Sequence, residues 1–186
     1  MARTSATLPV IILGAGMVGL TLAQALKKAG IPYEVYERDS AADTEKGHGW
    51  ALTIHWALNA LEECLPAELF NRVEKIQVDP TLDDSRLFCF LDLSTAIPKY
   101  VIPPSNRLRV NRRLLGNLLG EGLDINYNKT LSSFHVSPKT PDLVTVTFTD
   151  GTSTTGCLLV ALSVQLEYLR IGAEERPNSP QTRHWS

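Results

Sequence analysis

The stretch Val10–Gly19, VIILGAGMVG, constrains this chain more than any other. An apolar, partly β-branched run stands directly before glycines at 14, 16 and 19, and helix-forming residues follow directly after. A G-x-G-x-x-G turn in that setting joins a buried strand to a helix. Its glycines permit a tight turn, let the backbone approach a pyrophosphate and let the helix pack closely on the strand. A helix beginning at about Gly16 points free N–H groups toward the phosphates.

The flanking residues agree with this reading. Met17, Leu20, Thr21, Ala23, Gln24, Leu26, Lys27 and Lys28 have helical spacing, with the two lysines in the last turn and Gly30 just beyond, as a helix C-terminus prefers. Pro32 precedes a strand at Tyr33–Tyr36, and Glu37 closes it, about twenty residues after the glycines. A carboxylate there accepts hydrogen bonds from a ribose diol and repels a 2′-phosphate, which favours FAD or NAD over NADP. Arg38 can reach a phosphate, although solvated pairing with Asp39 or Glu37 is its plainer use. Two alternatives compete. Arg3, the apolar span Leu8–Leu26 and Ala23-Gln24-Ala25 have the outline of a targeting segment. Against it, the glycines break the span, and a membrane helix needs about 20 mostly apolar residues. The other alternative is a glycine turn that binds nothing.

A length of 186 residues fits one domain, or one domain and a fragment. The formal net charge of −2 argues against a nucleic-acid surface. Cys64, Cys89 and Cys157 are odd in number and far apart, which fits reduced thiols in a cytoplasmic protein rather than a disulfide framework. His48, His55, His135 and His184 form no pair at metal-ligand spacing, so no metal is expected, and no Ser/His/Asp or Cys/His set can be defended.

Beyond Glu37 the pattern predicts a polar loop over residues 40–50. A helix over Ala51–Leu65 follows from Leu52, Trp56, Leu58, Leu61 and Leu65, and Trp50 and Trp56 are best placed in the core. A short helix opens at Pro66. Strands are expected at Ile76–Val78, Leu87–Leu93 and Ile97–Ile102, the first two separated by an acidic turn at Asp79–Asp84. Asn111 is a good N-cap for a helix whose apolar face is Leu114, Leu115, Leu118 and Leu119, ended by Gly120 and Gly122. Asp124–Tyr127, Leu131–Val136 and Val144–Phe148 read as strands, Asp150-Gly151 as a hairpin turn, and Leu158–Val160 as a short buried strand. The fold class is α/β with an added antiparallel layer. From Gly172 onward Pro, Ser, Gln and charged residues dominate, and disorder is expected.

Together these motifs resemble the N-terminal part of flavin-dependent monooxygenases of the aromatic-hydroxylase type, the class of p-hydroxybenzoate and salicylate hydroxylases. GAGMVG followed by VYER resembles that family's FAD fingerprint. RVNRRLLGNLL is similar to its R-x-x-L-x-x-x-L helix, with Arg112, Leu115 and Leu119 in the matching places. DGTSTTGCLLV resembles its hairpin and strand, with Cys157 where the family has Asp. The likeness spans residues 8–160. It implies a Rossmann-like FAD-binding fold, a parallel sheet with helices plus an antiparallel β-meander, incomplete at its C-terminus. Residues 1–7 would be a flexible lead and 161–186 a divergent tail. The implied FAD-binding set is Gly14, Gly16, Met17, Val18 and Gly19 at the pyrophosphate, Glu37 on the ribose, Arg38, and Arg112 near the phosphates or the ribityl chain, with Arg113 a solvated neighbour. The loop Lys46–Trp50 corresponds to a region near the FAD. The implied activity uses NAD(P)H and O₂ to insert one oxygen into a small organic substrate, with no nucleic acid and no membrane span.

The likeness stops at Ala161. LLV is followed by ALSVQLEYLR where the family continues GADG, and no G-D-A-x-H motif follows. A truncated product is therefore expected, from a frameshift, a misread splice junction or a degenerate gene, with weak or absent flavin binding and no hydroxylation by these residues alone. A second reading is a nucleotide-binding module, or a subunit completed by a complementary chain. An NAD-dependent dehydrogenase is disfavoured, because no catalytic Tyr-Lys or His pair stands beside the flavin-like motifs.

Overall fold

A computed structural model describes residues 8–42, 50–79, 88–103, 106–136 and 142–162. Its centre is a four-stranded parallel sheet of β1 (Val10–Leu13), β2 (Tyr33–Tyr36), β7 (Ile125–Asn126) and β11 (Leu158–Ala161), in the order β11-β1-β2-β7. Each neighbouring pair is parallel, with Val10 opposite both Tyr33 and Leu158. All four residues of β1 are buried. Alternate side chains of a strand point to opposite faces, and here both faces are covered. Val10 and Ile12 join a core with Leu20, Ala23, Leu115, Leu118 and Leu119, whereas Ile11 and Leu13 join one with Val144, Val146 and Phe148. That is why β1 reads as unbroken apolar sequence rather than as an alternation.

The first core lies under α1 (Met17–Lys28), α2 (Leu58–Cys64), α3 (Ala67–Phe70) and α4 (Arg112–Gly120). The second lies under a meander of β8 (Leu131–Val136), β9 (Val144–Phe148) and β10 (Ser153–Gly156), in the order β10-β9-β8. Gly151, at φ +82°, turns β9 into β10 as the Asp150-Gly151 pair predicts. Asn111 caps α4 through Oδ1, which accepts from the N–H groups of Arg113 (3.0 Å) and Leu114 (3.2 Å). The helix ends at Gly120, and Gly122 follows in the left-handed region at φ +68°.

Several expectations are corrected. Ala51–Leu65 is not one helix: Ala51–Ile54 is strand β3, antiparallel to β6 (Leu108–Asn111), and the helix begins only at Leu58. The spacing of Leu52 and Trp56 mimics a helical face, but pairing with a strand more than fifty residues away decides the outcome. Trp50 and Trp56 are not core residues; they are 71% and 92% exposed. Ile76–Val78 is not a strand: Glu74–Ile76 is a 3₁₀ turn, followed by a single bridge from Gln77 to Val110. Leu114 stands outside the buried face of α4. β11 is a sheet edge with Leu158 half exposed, not a buried strand. Strands β4 (Phe88–Leu91) and β5 (Pro98–Ile102) form a separate two-stranded hairpin. Most of the Asp79–Asp84 turn, the loop from Lys46 to Gly49, His48, His184, the N-terminal lead and the tail after Leu162 lie outside the described residues.

Candidate dinucleotide site

The glycine turn sits where β1 ends and α1 begins. Gly14 has φ +110°, a conformation that side chains with a Cβ rarely adopt, and its N–H donates to Tyr36 O at 2.8 Å. The turn is thereby tied to the end of β2. A Cβ on Gly19 would stand 1.9 Å from Gly14 O, so only glycine lets the helix return this close to the turn. Gly16 differs from both. A Cβ there would meet nothing within 4 Å, and Gly16 is exposed at the N-cap of α1 with no side chain capping the helix. The first-turn amides of a helix have no intrahelical acceptor. Those at Met17, Val18 and Gly19 thus border an open cradle that a side chain on residue 16 would fill. Val18 is 66% exposed beside it, and Met17 turns inward to the core.

Glu37 closes the other wall. Its Oε2 accepts from Ala15 N–H at 2.6 Å, and its Oε1 accepts from Asp39 N–H at 3.0 Å. The main chain of Glu37 is fixed as well: its N–H donates to Asn126 O and its carbonyl accepts from Lys129 N–H, both at 2.8 Å. The carboxylate is therefore held against the glycine turn. Each oxygen keeps further lone-pair capacity, which is what a ribose diol requires. Arg38 lies at 3.6 Å from Asp39. Tyr36 turns away from the site into the core under the meander, where it stacks on Phe148 at 4.6 Å and donates to Glu34 Oε2 at 2.7 Å, and burial above all raises its phenol pKa.

Arg112 enters from a second helix. Gly116 of α4 faces Met17, a Cβ there standing 3.1 Å from the Met17 methyl, and the buried Gln24 reaches the far end of α4. Met17 to Gln24 and Gly116 to Glu121 thus advance together, so α1 and α4 run the same way. Their N-termini share one end of the domain, with Arg112 one turn ahead of Gly116 on the same face. The two termini are not equivalent. The amides of α4 are taken by Asn111 Oδ1 and, for Arg112, by Trp50 O at 3.0 Å, whereas α1 has no such cap. An anion would meet main-chain donors on α1 and the Arg112 side chain on α4, and a planar guanidinium suits a pair of phosphate oxygens. These residues fit the ADP half of a dinucleotide.

The parallel helix pair is what the sequence left unread. Lys27 and Lys28 were expected to favour the end of their own helix. Lys27 Nζ instead donates to Gly122 O (2.6 Å), and Lys28 Nζ to Glu63 O and Leu65 O (both 2.8 Å). The available signal was Gln24, a polar residue on the stripe of Leu20 and Ala23. A groove of about 580 Å³ lies at this opposite end, lined by Gln24, Lys27, Lys28, Pro66, Leu69 and Glu121 among others. Its two lysines already serve main-chain carbonyls, and it is remote from the glycine turn.

Over 160 residues, 86% of its length, the chain is 94% identical to the FAD-dependent monooxygenase dbaB of Emericella nidulans. The chain corresponds to the FAD-binding part of the FAD-dependent monooxygenases. It spans 41% of that relative, and 38% of the FAD-dependent monooxygenase cctM of Talaromyces islandicus, to which it is 39% identical over 152 residues, 81% of the chain. The chain thus spans about two fifths of the length of the curated relatives it matches. A crystal structure of a Photorhabdus luminescens protein assigned to the FAD-containing monooxygenases superposes with a TM-score of 0.67 at 30% identity, over 83% of this chain and 39% of that one. The Klebsiella pneumoniae protein HpxO, crystallised with FAD and uric acid, shares the fold with a TM-score of 0.60 at 23% identity, over 82% of this chain and 38% of that one. No protein-family model matches the chain. Among the described residues, no helix is long and apolar enough to cross a membrane.

Proposed function

We propose that this chain holds the ADP half of FAD, as the dinucleotide-binding part of an NAD(P)H-dependent monooxygenase that oxidises a small organic substrate in the cytoplasm. The observation that carries this is the Glu37 carboxylate, locked on Ala15 N–H at 2.6 Å across an uncapped helix N-terminus. Gly16, Met17, Val18 and Gly19 present the pyrophosphate with main-chain donors, and Gly14 shapes the turn that aims them. Glu37 takes the ribose diol, Arg38 flanks the adenosine side, and Arg112 supplies the cation. Bound flavin would supply the electron transfer and oxygen activation that the side chains themselves do not perform. On this reading the 186 residues alone bind the dinucleotide weakly and do not hydroxylate, since they span 41% of the relative dbaB.

A thermal melt with FAD, ADP, NAD and NADP tests this reading. FAD and ADP raise the midpoint, and NADP does not, since Glu37 opposes a 2′-phosphate. Equal stabilisation by NADP would sink the role of Glu37. A purified yellow chain that oxidises NADPH with stoichiometric hydroxylated product would overturn the claim that it does not turn over alone. A second reading, a subunit completed by another chain, is favoured by β11, whose outer edge has no partner strand among the described residues. Copurification of a complementary flavoprotein fragment would establish it.

A further inference from the structure

We propose that Gln24 is a positioning residue for the FAD site, acting from the far end of α4 to fix where Arg112 stands; this rests on the assignment of Arg112 to FAD above. Gln24 is 1% exposed, the one buried polar side chain among the described residues. Its Nε2 donates to Leu119 O at 2.8 Å and to Glu121 O at 3.0 Å. These carbonyls belong to the end of α4, where no further helical N–H can reach them. Glu121 N–H serves Leu118 O and Leu123 N–H serves Gly120 O. The amide of Gln24 thus fills the remaining place in the cap, from a helix 95 residues earlier in the chain.

An apolar residue would fill this space without the hydrogen bonds, and a carboxylate would face two carbonyl oxygens. What glutamine adds is register. Two directional bonds from one planar amide set how far α4 slides along α1, whereas the leucine and alanine packing around it tolerates small shifts. Gly116 against Met17 sets the spacing of the pair near the other end. A rigid helix of nine residues carries the register from Glu121 back to Arg112. The glycine turn does not need this tie, because β1, Tyr36 O and Glu37 hold it. Gln24 therefore governs the phosphate contact of Arg112 and leaves the ribose contact of Glu37 alone.

The experiment is a double-mutant cycle on the 186-residue chain, with FAD and adenosine each titrated into the unmodified protein, Gln24→Met, Arg112→Gln and the double variant. Gln24→Met is expected to weaken FAD about fivefold and adenosine less than twofold, and to add almost nothing once Arg112 is gone. Lys27→Met removes the weaker tie to Gly122 at the same junction and gives a smaller loss in the same direction, about twofold; being exposed, it keeps the test open if Gln24→Met does not fold. A lowered melting temperature with an unchanged FAD-to-adenosine affinity ratio, or full additivity with Arg112→Gln, overturns the positioning role and leaves the FAD reading intact. No uptake of FAD by the unmodified chain overturns both.

Discussion

The parallel sheet with its helices and the β4–β5 hairpin are built on opposite terms. Around β1 every strand face is covered, and even the ends of α2 and α4 are capped by side chains of α1. Among the described residues the hairpin has two strands and no third, and it exposes Phe90, Leu91, Leu93, Ile97, Tyr100 and Val101. A lone two-stranded ribbon is marginally stable in water. The first region buries apolar residues drawn from Val10 to Val160 in shared cores; the second carries apolar residues that nothing among the described residues buries. The candidate dinucleotide site lies in the first region.

Substitutions can break this contrast. The largest effect is expected from Gly19→Val, which drives a Cβ into the carbonyl of Gly14. It should cost about 3 kcal/mol or more, and it should abolish ADP binding in the surviving folded fraction, read by denaturant melts and titration. Next comes a matched pair. Leu115→Ala in the core should cost about 2–5 kcal/mol, whereas Leu93→Ala, at a residue 98% exposed, should stay within about 0.5 kcal/mol. Equal losses would mean that the hairpin is integral to the cooperative unit. Removing the cap with Asn111→Ala should cost about 1 kcal/mol, and the FAD midpoint shift should shrink as Arg112 loosens.

The smallest effect separates the regions by pH. Asp92, in the hairpin turn, accepts from Ser94 N–H and Oγ and from Lys99, which lowers its pKa from 3.8 to about 2. Because the folded value is depressed, the turn gains this stability above the unfolded pKa and loses it as pH falls through about 2. Acidification from pH 5 to pH 2 should shift the Ser94 amide resonance and spare those of α1, whose ties are uncharged or cationic. Asp92→Asn should erase that response.

The βαβ opening, the Asn111 cap and the Asp150-Gly151 turn were legible because each depends on residues within one or two turns of itself. Strand β3 was not legible. Its leucine spacing fits a helix, and only its distant partner β6 makes Ala51–Ile54 extended. The exposure of Trp50 and Trp56 was hidden for a related reason: an aromatic ring favours burial on average, but nothing nearby in the chain says which face is covered. At the site, the glycines and Glu37 declared themselves by spacing. Gln24 did not, since its acceptors lie at Leu119 and Glu121, and a buried glutamine acquires meaning only when its partners are known.

The common direction of α1 and α4 has one more consequence. Peptide dipoles add along a helix, leaving its N-terminus partly positive. Two helices pointing the same way superpose those fields at one end, where Arg112 and Arg113 add full charges. On the proposed reading, a diphosphate nearing the glycine turn meets that partial charge beside the Glu37 carboxylate, and its encounter rate falls as salt screens the field.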